Sequence, residues 1–208
     1  MKKTYKVSVI ILTLSAAFAF TNSAISISKP VLSTATFGDE NLMKAMNDMM
    51  QRMSEMKMSG DFDHDFALMM IEHHQGAIDM SQVLLKSGKN EKLKSMAQKG
   101  SAKQKEGQKE LRTLISNHKM ESSKNNPEHN ELKNTMEQMM KEMKGMKMSG
   151  DVDKDFAMMM MMHHKAGIEM ADNEIAHGKD TELKKAAQKM VEEQKKEMKE
   201  LQDWLNNK

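Results

Sequence analysis

The chain repeats itself at an offset of 90 residues. "MKMSGDFDHDFALMM", Met56 to Met70, is matched by "MKMSGDVDKDFAMMM", Met146 to Met160. His73-His74 then falls on His163-His164, Gly88-Lys89 on Gly178-Lys179, Ala97-Gln98 on Ala187-Gln188, and Gln104 and Leu111 on Gln194 and Leu201. Such self-similarity means that one supersecondary unit is used twice. Neither copy has the apolar content to bury a face alone, so the two are expected to pack together as one bundle. An aromatic content of 4%, with ten glycines and two prolines, argues against a sheet fold.

Periodicity predicts three helices per copy: a Met-rich helix over 39–58 and 128–148, a His-His helix over 63–87 and 153–177, and a Lys/Glu-rich helix over 90–116 and 180–206. Gly60 and Gly150 read as C-terminal caps ahead of acidic helix starts. Gly88 and Gly178 end the second helices before the N-caps Asn90 and Asp180. The expected organisation is a first unit over 39–116, a linker over 117–127 that lacks apolar periodicity and ends on Pro127, and a second unit over 128–208. The fold class is all-α, a helical bundle built from two tandem three-helix repeats.

Lys2, Lys3 and Lys6 precede an apolar run, Val7 to Phe20, which ends near small residues at Ala17-Phe18-Ala19 and Ala24. This is the pattern of a secretory signal peptide over residues 1–24. The run is about 14 residues, against the roughly 20 that span a bilayer. Cleavage rather than stable membrane insertion is therefore expected, with the mature chain periplasmic or secreted. Removing the segment takes three lysines and moves the net charge from +2 to −1. Acids interleave every basic stretch, so a nucleic-acid partner has no support. The absence of cysteine excludes a disulfide framework and thiolate ligands.

At about 100° per residue, Phe66, Met69, His73, Ala77, Met80 and Leu84 share one stripe. Phe156, Met159, His163, Gly167 and Met170 repeat it. His73 and His163 should point into the bundle. His74 and His164 lie one step round, beside Met70 and Met160, and this divergence favours separate sites in the two halves. Each histidine has a methionine one turn before it. Gln104 and Gln194 interrupt the apolar stripe of the third helices, which predicts buried amides hydrogen-bonded to facing imidazoles.

Methionine at helical spacing ordinarily fills a core, and an inward histidine is ordinarily a packed, hydrogen-bonded residue. Yet 27 methionines in 208 residues exceed what packing asks for, because leucine specifies one arrangement better. Thioether sulfur selects Cu(I) and, by the same softness, Ag(I); imidazole suits copper in either oxidation state. Zinc would call for cysteine, histidine or carboxylate. The candidate ligands are His73, His74, His163 and His164 with Met69, Met70, Met80, Met159, Met160 and Met170. Met-x-x-Met series at Met43, Met46 and Met49 and at Met50, Met53 and Met56, repeated over Met136 to Met148, offer further soft donors. Imidazole binds only when neutral and ordinarily protonates near pH 6.5, so Cu(II) is expected to leave before Cu(I) on acidification.

Other chemistries are less well written. The alternating aspartates 61, 63 and 65 lack the glutamate of a calcium loop, and Met70 and Met160 stand where a di-iron bundle would need glutamate. No nucleophile with an adjacent base and no phosphate-cradling loop is present, so no catalytic residue is proposed.

The stretches "DFALMMIEHHQGAIDM" and "DFAMMMMMHHKAGIEM", each followed by Gly, Leu, Ala-Gln and a Gln-bearing last helix, resemble the tandem units of the domain-of-unknown-function 305 family over about residues 41–206. The resemblance implies a ferritin-like helical bundle, export, and the periplasmic copper binding and copper tolerance associated with members of that family. Its aspartate, Met-Met and His-His pattern falls on Asp65, Met69, Met70, His73 and His74, and on Asp155, Met159, Met160, His163 and His164. Its last-helix pattern is kept at Gln194, Glu197, Met198, Leu201, Trp204 and Leu205. The first unit has Gly107 and Gln108 in place of Glu197 and Met198, which implies unequal halves. The expected function is sequestration or delivery of Cu(I) or Cu(II) without turnover, with metal ions and copper-export or copper-delivery proteins as partners. Two alternatives stay open: a Met-rich helical interaction module that repacks around apolar partners, and a ferritin-like metal-dependent oxidase.

Overall fold

A computed structural model describes residues 37–121 and 129–207. They form six helices: α1 (Phe37–Ser54), α2 (Phe62–Ser87), α3 (Glu91–Asn117), α4 (His129–Gly145), α5 (Val152–His177) and α6 (Thr181–Asn206). Among the described residues there is no strand, and no helix is long and apolar enough to cross a membrane. The expected signal segment 1–24 and residues 122–127 of the expected linker lie outside the described residues. The fold is the all-α bundle of two three-helix repeats that the sequence predicts.

Local chemistry sets the helix starts. Asp61 accepts a hydrogen bond from the His64 amide at 2.9 Å, Asn90 from Leu93 at 2.9 Å, Asp151 from Asp153 at 3.0 Å, and Asp180 from Glu182 at 2.9 Å. Each such cap contributes about 1 kcal/mol. Helices α1 and α4 stop at Ser54 and Gly145, several residues short of Gly60 and Gly150. These two glycines, at φ 88° and 83°, therefore shape the turns into α2 and α5 rather than cap the helices before them. In those turns Asp65 accepts from the Ser59 and Gly60 amides, and Asp155 from Ser149 and Gly150.

The remaining aspartate of each trio joins the two halves. Asp63 accepts hydrogen bonds from the Lys179 and Asp180 amides in the turn after α5, at 2.8 and 2.7 Å. Asp153 accepts from Lys89 and Asn90 in the turn after α2, both at 3.1 Å. The N-terminus of each His-His helix thus meets the C-terminal turn of the other, so α2 and α5 run antiparallel side by side. Helices α1 and α3 pack on α2, while α4 and α6 pack on α5. Trp204 Nε1 donates to Asn90 Oδ1 at 3.2 Å, a further tie between the repeats.

Met46, Met49, Met50 and Met53 on α1, and Met136, Met139 and Met143 on α4, all lie buried in the core. The Met-x-x-Met series is therefore the packing face of two short outer helices. Arg52 fastens α1 to α2 through Glu72 at 2.8 Å, and Lys165 holds α4 through Glu142 at 2.7 Å.

Candidate metal centre

His73 and His163 sit midway along α2 and α5, where the antiparallel helices cross. Their rings stack with centroids 3.6 Å apart and planes 27° apart. His73 Nε2 lies 3.0 Å from the His163 carbonyl oxygen, and His163 Nε2 lies 2.8 Å from the His73 carbonyl oxygen. A carbonyl oxygen only accepts, so each Nε2 carries the proton and each Nδ1 is left as a bare lone pair. Neither Nδ1 has a hydrogen-bond partner among the described residues.

The neighbouring rings depart to either side. His164 Nε2 lies 3.1 Å from Glu197 Oε2 on α6, and Glu197 also receives Lys103 Nζ from α3 at 3.0 Å. Burial pushes the Glu197 carboxyl up, but the hydrogen bonds from His164 and Lys103 outweigh it and hold the group below its usual value. His164 thereby also presents an unpartnered Nδ1. His74 has no such carboxylate. At the position equivalent to Glu197 stands Gly107, where an added Cβ would lie 2.7 Å from His74 Nε2. A cavity of about 40 Å³ remains there, rimmed by Glu106, Glu110, Glu193 and Glu197. A larger cavity of about 280 Å³ reaches His164, Met160 and Met96 on the other side of Glu197.

All four imidazoles are at most 3% exposed. Burial, reinforced by the charge that neighbouring rings would carry, holds His73 and His163 well below the usual imidazole value and lowers His74 to about 3. These three rings are therefore neutral across the physiological range. The acid release expected from an ordinary imidazole does not apply to them, because the proton that would compete with a metal has no solvated place to sit.

Gln104 and Gln194 are buried in this layer, as their sequence positions suggest. Among the described residues no hydrogen bond joins either to an imidazole, and the Oε1 atom of each lacks a partner. Gln194 and His73 crowd the same spot beside Gly167, where a side chain of any size would strike both. Met69, Met70, Met80, Met159, Met160 and Met170 are all at most 5% exposed and belong to the same core. The fold thus gathers the ten candidate ligands into one interior region. His73 and His163 meet face to face, while the rings of His74 and His164 stand apart from them, with centroids 6.4 Å from His73 and 5.8 Å from His163 respectively. Glu197 and Gly107 were absent from the candidate set, although comparing the repeats at an offset of 90 exposes the difference.

Buried polar atoms are nearly always paired. Here four imidazole nitrogens, three of them bare lone pairs, and two amide oxygens lack partners inside a methionine-rich core. That donor set is soft to borderline and suited to a thiophilic cation.

The profile of the family described as Domain of unknown function (DUF305) matches the chain over residues 26–115 and 63–205. No curated protein matches it. Among solved structures, the fold is similar to a DUF305 protein from Streptomyces coelicolor described as secreted, with a TM-score of 0.56, 19% identity, and 72% of this chain and 95% of that one covered. It is also similar to a DUF305 fragment from Deinococcus radiodurans, with a TM-score of 0.54, 16% identity, and coverage of 71% and 97%. CopM in its Cu(I)-bound form matches with a TM-score of 0.52, 24% identity, and coverage of 70% and 96%, and an Ag-bound form of CopM gives the same figures.

Proposed function

The chain belongs to the DUF305 family, and from that premise we propose that it is an exported copper-binding protein that sequesters or delivers Cu(I) and Cu(II) through His73, His74, His163 and His164 with Met69, Met70, Met80, Met159, Met160 and Met170. The carrying observation is the set of four buried imidazoles whose Nδ1 atoms have no hydrogen-bond partner. A core that needed only packing would not keep four imidazole nitrogens unpaired, at a cost of about 1–3 kcal/mol each. Neutral thioethers and neutral imidazoles can exchange a bound Cu(I) among themselves without moving protons, which suits capture and hand-over. The Cu(I)- and Ag-bound forms of CopM, a similar fold, support the choice of cation. Residues 1–24 are assigned as the export signal, and the function as a contribution to metal tolerance without turnover.

The test is titration of the purified protein with Cu(I), Cu(II), Ag(I) and Zn(II), with stoichiometry read by native mass spectrometry. Retention of Cu(I) and Ag(I), lost when all four histidines are replaced by leucine in a protein that stays helical, is the expected result. Binding of none of these ions would overturn the proposal in favour of an interaction module, and oxygen consumption by the copper-loaded protein would favour an oxidase.

A further inference from the structure

The repeat supplies a control for each position, and one end of the bundle departs from it. Where α5 begins, Asp153 holds the turn after α2, Asn90 caps α3, and Leu84 fills the interior with no exposure. At the opposite end Asp63 holds the turn after α5 in the same way, but Glu174 occupies the position of Leu84 and Asp180 that of Asn90. His118, just beyond α3, folds onto the two helix starts. Its Nε2 lies 3.0 Å from Asp61 Oδ2 and its Nδ1 3.0 Å from Asp180 Oδ2. One ligating atom from each of Asp61, Asp63 and His118 falls within 4.8 Å of the others. The group borders a cavity of about 420 Å³.

Capping explains Asp61 and Asp180, and an ion pair with them explains His118. Neither explains Glu174. It is 0% exposed, and neither of its oxygens has a hydrogen-bond donor among the described residues. Its carboxyl is folded into the turn at Gly178, against Asp63, whose oxygens are held by the next two amides of that turn. Two carboxyl groups side by side in an interior must share a proton or take positive charge between them. In the metal-free protein Glu174 keeps the proton against Asp63, with the Lys184 ammonium at the same turn, and a bound cation would take that proton's place. The twin position shows that the fold is satisfied by leucine.

We propose that Asp61, Asp63 and His118, backed by Glu174 and Asp180, form a second metal site that takes a borderline divalent cation of the zinc class. The donors are carboxylate oxygens and one imidazole with no sulfur, a set that suits Zn(II) and not Cu(I). Amides of His64, Glu121, Lys179 and Asp180 donate to Asp61 and Asp63 and fix the orientation of these carboxylates, as partners of ligating groups do. On binding, His118 exchanges one of its two carboxylate contacts for the cation. The site lies at the end of α2, away from the histidine layer at its middle, and does not depend on the copper proposal.

The test is competition for Zn(II) between the full chain and a chromophoric chelator, in the unaltered protein, His118→Ala and Glu174→Leu, with circular dichroism confirming that each is folded. His118→Ala should weaken one Zn(II) by at least tenfold, and Glu174→Leu, which installs the residue of the twin position, by about tenfold. Cu(I) stoichiometry should not change in either variant. Absence of Zn(II) binding by the unaltered protein, or equal affinity in folded His118→Ala, would overturn the site; unchanged affinity in Glu174→Leu would remove Glu174 from it.

Discussion

Glu174→Leu should stabilise the metal-free protein, and by an amount that grows with pH. Burial, then the charge of Asp63, push the Glu174 carboxyl from its ordinary 4.5 up to about 9. The folded state therefore keeps a proton that the unfolded chain has already released above pH 4.5. Because the folded state binds the extra proton, stability is lost as pH rises from 4.5 towards 9. At about 1.36 kcal/mol per pH unit, the penalty is about 1.4 kcal/mol at pH 5.5 and about 4 kcal/mol at pH 7.5. Burying leucine in place of the carboxyl adds the same packing at both values, so that gain of about 2 kcal/mol cancels in the comparison. The advantage of the variant should then widen by about 3 kcal/mol between the two conditions. Urea unfolding of both proteins with chelator present measures it directly. An advantage that stays constant or narrows as pH rises would refute the reasoning, since every other titrating group is common to the two proteins.

Copper retention should be nearly the same at pH 7 and pH 5 for Cu(I) and Cu(II), because His73, His74 and His163 are held neutral by burial; selective loss of Cu(II) at pH 5, measured by metal analysis after gel filtration, would show the rings to be accessible to protons. Met46→Leu, Met49→Leu and Met139→Leu replace packing residues of similar volume and should cost less than about 1.5 kcal/mol each in urea unfolding while leaving Cu(I) stoichiometry intact. Met159→Leu with Met160→Leu should be as well folded but lose Cu(I) affinity, and equal Cu(I) affinity in the two sets would return all the methionines to packing. Gly107→Ala puts a Cβ 2.7 Å from His74 Nε2, so overpacking of about 1–3 kcal/mol should outweigh a helix-propensity gain of about 1 kcal/mol; a net rise in melting temperature would show that the ring can move aside.

The helices and their tandem use were legible because they depend on local chemistry: periodicity, an aspartate or asparagine before α2, α3, α5 and α6, and a glycine after α2 and α5. The inward direction of His73 and His163 was legible for the same reason. What these residues meet was not. A stripe at helical spacing says that His73 is buried, but not that it stacks on His163 and spends its Nε2 on that residue's carbonyl oxygen. The expected bond from Gln104 and Gln194 to imidazole was a plausible pairing that the packing does not make. Nor could spacing show that the Met-x-x-Met series faces the core.

The sequence by itself determined that one three-helix unit occurs twice, that its second helix carries adjacent histidines among methionines, and that the copies differ at Gly107 against Glu197 and Leu84 against Glu174. The tertiary structure decided which of those residues share an environment, and with it their proton affinities. Helix positions are set within a few residues of chain, whereas desolvation and unpaired lone pairs arise only when antiparallel helices from the two repeats close over one another and exclude water.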